Sequence, residues 1–256
     1  MRASLCVLLA FASVLSFSAT SHGDDLIPVG SEWRWLHPTD GVDPGKADED
    51  FHKTWHTLDF DDTKWKAGKD KEGPHGGFGY GEEDFEGVDI GTPPADDPAD
   101  TENGVKRRTA YFRHAFETDK EAASLVLKLQ RDDGIVVYLD GKEIARDNVG
   151  LNDDSYELMA HTTTSGEEET KLREYKLAGP LKPGKHVLAI SLHNRAGGSS
   201  DLRIAEISLA EGKSAEKATE AKPADEAKPA VESKDSKPAE AKPSEGKGDG
   251  ADDAKK

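Results

Sequence analysis

The chain has 256 residues and a formal net charge of −17, from 51 acidic and 34 basic side chains. A charge of that sign argues against nucleic acid and anionic membrane as partners, because both repel it. A single cysteine, Cys6, leaves no disulfide framework to hold the fold.

Residues 1–23 read as a secretory signal. Arg2 precedes an apolar run from Ala3 to Phe17, and small residues follow, with cleavage expected after Ser21 or Gly23. The run is short for a transmembrane helix. Cys6 lies near its start, where a lipoprotein anchor would not form. The mature chain is therefore expected to hold no cysteine, which removes thiol catalysis and Cys-ligated zinc. Its expected location is secreted, periplasmic or on the cell surface.

Residues 24–210 are long enough for one domain with its own core. Leu26 to Leu36 reads as a first strand region, with Trp33 and Trp35 on one face. Thr39 to Asp50 reads as a loop, and Thr54 to Trp65 as a turn-rich segment anchored by Trp55, Phe60 and Trp65. Ala67 to Arg108 is a long polar stretch, read as an elaborated loop surface or a mobile insertion. Thr109 to Phe116 reads as a strand. In Ser124 to Gln130, Leu125, Leu127 and Leu129 share a face. In Ile135 to Asp140, Ile135, Val137 and Leu139 alternate with Val136 and Tyr138. Period-two alternation with β-branched residues marks strands. Asp132-Asp133-Gly134 breaks the two runs, and Asp140-Gly141 is a hairpin signal because a type I′ turn needs two positive φ values. Lys142 to Arg146 would return antiparallel.

Asn148 to Glu169 is polar, with one short strand expected near Tyr156 to Met159. Lys171 to Leu177 reads as a strand. Gly179-Pro180 and Lys182-Pro183-Gly184 read as turns. Lys185 to Asn194 reads as a buried strand and Arg195 to Ser200 as a loop. Asp201 to Leu209 reads as a last strand whose apolar phase slips between Ile204 and Ile207, the mark of a β-bulge. Many short strands with turns between them and no helical periodicity predict an all-β sandwich or jelly roll.

Residues 211–256 repeat Lys-Pro in an Ala, Glu, Lys, Asp and Ser background. Such a composition cannot offset its ordering entropy, so a disordered tail is expected. Its charges nearly cancel, which leaves the acidity on residues 24–210.

Taken in order, LIPVGSEWRWL (26–36), FDDTKWKAG (60–68), GGFGYGEED (76–84), TAYFRHAF (109–116), LKLQRDDGIVVYLDGKEIARDN (127–148), LKPGKHVLAISLHN (181–194) and SSDLRIAEISL (199–209) cover nearly all of 26–209. They resemble the galactose-binding-like jelly-roll modules of bacterial secreted proteins and, more loosely, the sugar-binding jelly roll of family-two glycoside hydrolases. The resemblance implies a galactose-binding-like β-sandwich that attaches to carbohydrate or a cell-surface polysaccharide. The Asp132-Asp133-Gly134 run before VYLDG is also similar to protective-antigen-type lectin domains, which implies calcium bound with sugar.

The candidate sites each have a competing structural reading. Trp33, Trp35 and Trp55 could stack on sugar rings, or fill the core. His193, Asn194 and Arg195 could hydrogen-bond sugar hydroxyls, next to glycines that permit close approach, or form a plain connection. Asp132, Asp133 and Asp201 could ligate a structural calcium, or cap turns. No His-Glu-x-x-His helix, nucleophile elbow or phosphate loop is present in the sequence, so no catalysis is expected. Two functions follow: a secreted non-catalytic carbohydrate-binding module, or an envelope scaffold whose charged tail contacts a protein partner.

Overall fold

The computed structural model describes residues 25–82, 84–91, 108–195 and 200–212. The expected signal segment lies outside them, as does the expected tail beyond Gly212. The chain divides into Met1–Ser214 and Ala215–Lys256, and every described residue belongs to the first unit.

Twelve strands carry the described fold: β1 (Asp25–Ile27), β2 (Glu32–Leu36), β3 (Lys66–Lys69), β4 (Phe78–Tyr80), β5 (Val88–Asp89), β6 (Thr109–Thr118), β7 (Ala122–Asp132), β8 (Gly134–Leu139), β9 (Lys142–Asp147), β10 (Arg173–Leu181), β11 (Gly184–His193) and β12 (Leu202–Glu211). They form a two-sheet all-β sandwich. One sheet runs β10-β7-β12-β4-β5, with β1 also on β12; the other runs β3-β2-β6-β11-β8-β9. From β6 to β12 the chain crosses repeatedly between the sheets, which is jelly-roll winding. The Leu26–Leu36 region is split between the sheets by a turn at Pro28–Ser31, because β1 pairs with β12 and β2 with β6.

The alternation read from sequence has a direct cause. Leu125, Leu127 and Leu129 of β7 meet Ile135 and Val137 of β8, Leu188, Ile190 and Leu192 of β11, and Trp33 and Trp35 of β2 between the sheets. Burying each such aliphatic side chain contributes roughly 1.5–3 kcal/mol. The apolar run in β8 has no polar face, and the reason is a second cluster on the outside of its sheet. There Val136 and Tyr138 join Tyr111 of β6, Ala189 of β11, and Phe51, Trp55, Tyr156 and Leu158 from the loops that cover this face. Arg113 of β6, almost fully buried, fastens that cover. It donates to Asp62 Oδ2 at 2.8 Å, to Thr57 O at 2.9 Å and to Trp55 O, and lies over the Phe60 ring at 5.2 Å.

The connections differ sharply between the two ends of the sandwich. At one end, chain reversals are short: Asp119–Glu121, Asp140–Gly141 and Lys182–Pro183. Asp140 and Gly141 have φ of 51° and 85°, as the type I′ reading requires. At the other end β2, β4, β7, β9 and β11 finish, and β6, β8, β10 and β12 begin. Most of the long connections among the described residues gather there; the 70–77 connection instead leaves β3 at the other end.

Three sequence expectations are corrected. Gly179–Pro180 is not a turn but lies inside β10, at a register shift between Ala178 and Leu181 where a residue without an N–H is tolerated. Tyr156–Met159 forms no strand: a single bridge, Val149 to Ala160, marks the place, and the aromatic and aliphatic side chains pack instead. The stretch from Ala67 holds most of β3 and all of β4 and β5, strands too short for periodicity to register; residues 92–107 of it lie outside the described residues.

The slip in β12 is a bulge. Glu206 has φ of 50° and the register with β7 shifts between Ala205 and Ser208. Asp70 caps it, its Oδ2 accepting the Ile207 N–H at 2.9 Å. Burial pushes the Asp70 carboxyl up to about 6, against the two backbone N–H groups at the bulge that favour its ionised form. Because its folded pKa is raised, the stability it contributes is full below about pH 4 and lost as pH rises toward 6. Asp70→Asn is expected to gain about 1–3 kcal/mol over the wild type at pH 7. That gain should vanish near pH 4, as read by urea denaturation across the range.

Candidate functional site

The end where the long connections meet is built on Asp133. Gly134 lets β7 turn into β8, since a Cβ there would lie 2.7 Å from Val149. The preceding peptide, Asp132–Asp133, is cis. Asp133 is buried, and its Oδ1 accepts the Thr164 N–H at 2.6 Å while Oδ2 accepts the Arg195 N–H at 2.7 Å. Its carbonyl accepts from Asn148 Nδ2 at 3.1 Å, Thr164 Oγ1 at 3.3 Å and Arg131. One residue therefore ties the 148–166 and 194–201 connections to the sheets.

Asp132 is also buried, and burial pushes its carboxyl well up, helped by its hydrogen bond with Asp133 and by the nearby Asp133, Asp201 and Glu169 carboxylates. Beside it in the ladder stands Arg203, which is 1% exposed. Its guanidinium donates to Glu82 Oε1 at 2.5 Å, Gln130 Oε1 at 3.1 Å and Glu169 O at 2.9 Å. Burial raises the Glu82 carboxyl, and Arg203 opposes that rise.

The candidate residues fall into different places. Trp33, Trp35 and Trp55 are 0%, 4% and 1% exposed, so no indole face is open for stacking; the first two fill the main core and the third the outer cluster. His193 is fully buried, and burial lowers its imidazole to about 4, so it is neutral. Nδ1 donates to Leu158 O at 3.1 Å, and Nε2 accepts from Ser191 Oγ at 2.8 Å. Asn194 is buried and donates through Nδ2 to Tyr80 OH at 3.1 Å. Arg195 is exposed and meets Asp133 only through its backbone in the bonds above. Of the six proposed sugar contacts, Arg195 alone presents its side chain to solvent, at the same end as Asp133. Of Asp132, Asp133 and Asp201, Asp133 has both carboxyl oxygens on backbone N–H groups and Asp132 is buried beside it. Among the described residues no three His, Cys, Asp or Glu side chains are placed to hold a metal ion.

Sequence reasoning passed over the open surface beside this end. A groove of about 460 Å3 lies where β9 and β10, the outer strands of opposite sheets, come together. Arg131, Arg146, Asp147, Glu168, Lys171, Arg173 and Glu174 supply its charge, and Tyr175 and Leu172 its apolar surface. These residues come from three strands and a loop, so no local motif announces them. A second groove, about 410 Å3, is lined by the 36–47 segment.

No protein-family model matches the chain, and no curated protein matches it by sequence. Among solved structures it is similar to a β-glycosidase from Bacteroides vulgatus, at 14% identity and TM-score 0.37 over 73% of this chain and 20% of that one. It is similar also to a β-glucuronidase from Bifidobacterium dentium, at 9% identity and TM-score 0.34 over 68% and 21%. A family 35 carbohydrate-binding module from Clostridium thermocellum gives 11% identity and TM-score 0.25 over 40% and 70%. The chain spans about a fifth of the length of the two glycosidases.

Two substitutions test the Asp pair. Asp133→Ala leaves the buried Thr164 N–H, at a cost of about 1–3 kcal/mol, and the part-buried Arg195 N–H without their partner, and is expected to lower the urea midpoint. Asp132→Asn keeps the neutral shape. Since a raised carboxyl loses stability as pH rises above the ordinary carboxylate range, the variant's advantage should grow with pH. A constant difference between pH 5 and 9 would refute the assignment.

Proposed function

We propose that the protein is an exported, non-catalytic module that binds carbohydrate at the end of the sandwich where its long connections gather. The carrying observation is the polarity of the fold. A rigid double sheet ends on one side in tight turns and on the other in several connections fixed by Asp133 and Arg203. Binding surfaces are drawn from loops held by a rigid scaffold. The resemblance to galactose-binding-like modules points the same way, and the apolar leader at residues 3–17 supports export.

The non-catalytic reading rests on access. Asp132 and Asp133 are adjacent carboxyls, yet they are 2% and 1% exposed and Asp133 is bonded within the protein. A glycosidase needs its two carboxyls across an open cleft. Among the described residues no helix is long and apolar enough to cross a membrane.

The test is thermal denaturation of the full-length protein with neutral and acidic polysaccharides, each with calcium or EDTA. Ligand that binds the folded state alone raises the melting temperature, by about 2–4 °C per kcal/mol for a chain of this size. A rise with any glycan supports the proposal, and calcium dependence would bring Asp201 and its neighbours back as ligands. No rise with any glycan would favour the scaffold reading, in which a protein partner is the ligand.

A further inference from the structure

The four cations of the β9–β10 groove stand out in a chain of net charge −17. Three of them are arginines whose stems are buried: the side chains of Arg131, Arg146 and Arg173 are 8%, 8% and 13% exposed. Arg131 is fixed from behind by Asp133 O and by Thr164 Oγ1 at 3.0 Å, so the groove is anchored on the same clamp that holds the loops.

Their neutralisation is uneven. Arg146 has a bidentate partner in Glu143, at 2.9 and 2.8 Å. Arg131 and Arg173 share one carboxylate, Asp147, at 2.7 and 3.6 Å, and Tyr175 OH donates to that same carboxylate at 2.8 Å. Two guanidinium groups on one carboxylate leave positive charge over. Burial and the neighbouring Arg131 both lower the Arg173 pKa, in that order. The second carboxylate on Arg173 comes from Glu168, which is 55% exposed, sits in a single 3-10 turn, and reaches Arg173 at 3.2 Å and Lys171 at 2.8 Å. Exposed pairs of this kind contribute little, about 0–1 kcal/mol. Glu168 thus covers a preformed cationic seat and can be displaced from it at low cost.

We propose that this groove binds an acidic polysaccharide, the ligand's anionic group replacing the Glu168 carboxylate on Lys171 and Arg173. The guanidinium fork suits carboxylate and sulfate alike. Tyr175, its hydroxyl committed to Asp147, and the half-exposed Leu172 lie alongside as an apolar surface for the C–H face of a sugar ring. The volume lies within the range of small-ligand sites. This deepens the carbohydrate-binding reading and rests on it.

The experiment is affinity electrophoresis of the full-length protein through gels holding polygalacturonate, dextran sulfate, neutral dextran or polyglutamate. The expected result is retardation by one or both acidic polysaccharides at least tenfold stronger than by neutral dextran; which of the two acts separates carboxylate from sulfate. Lys171→Ala, at an exposed position, should weaken that binding about tenfold. Glu168→Gln should strengthen it several-fold by vacating the seat, an effect a general loss of folding cannot imitate. Unchanged or weaker binding by Glu168→Gln overturns the proposal. So does retardation by polyglutamate equal to that by the polysaccharides, which would mark an acidic protein segment as the partner. Retardation by neutral dextran without any acidic preference overturns it while leaving the carbohydrate reading intact. Silence from every polysaccharide removes both.

Discussion

A buried carboxyl must be supplied with hydrogen-bond donors, and Asp133 obtains them from two separate connections. The Thr164 and Arg195 N–H groups both point at it, so neither connection can move without uncovering a buried polar group. Burial pushes the neighbouring Asp132 carboxyl up, helped by its hydrogen bond with Asp133. Through its carbonyl Asp133 also orients Arg131, whose guanidinium then faces Asp147 in the groove. The interior clamp and the exterior charge pattern are one connected arrangement.

The second sheet has a comparable dependence on a buried charge. Its outer face is apolar, through Tyr111, Val136 and Tyr138, and needs a cover. The cover is one short helical turn, Phe51–Thr54, and irregular chain, which brings backbone carbonyls into a dry place. Arg113 answers those of Trp55 and Thr57 while Asp62 balances its charge. The sandwich is in effect three-layered on this side, which explains why a chain with modest hydrophobic content has two apolar clusters.

Much of the fold was legible in the sequence because it follows local rules. The alternation in β7, the Asp140–Gly141 hairpin and the bulge before Ile207 each report a backbone geometry that neighbouring residues dictate. Other features were not legible because they depend on distant partners. Pro180 sits inside a strand on account of its ladder with β7, and the segment around Tyr156 is held by packing against Tyr111, not by pairing. The three tryptophans were open to two readings, and only the fold decides which surfaces are left uncovered. The site divides in the same way. Asp133 was visible as part of a break between strands, but what it binds was not. Arg131, Lys171 and Arg173 looked like scattered surface charge until β9 and β10 brought them together.

The pairing of β1 with β12 places Asp25 next to Ala210, at the end where the turns are short. A brief peptide joining these positions would close the sandwich into a ring without altering any strand. New termini could then be opened at Asp140–Gly141, a two-residue reversal at that same end. The architecture is thus indifferent to where its chain starts, and a permuted version would present the same loops on the same scaffold.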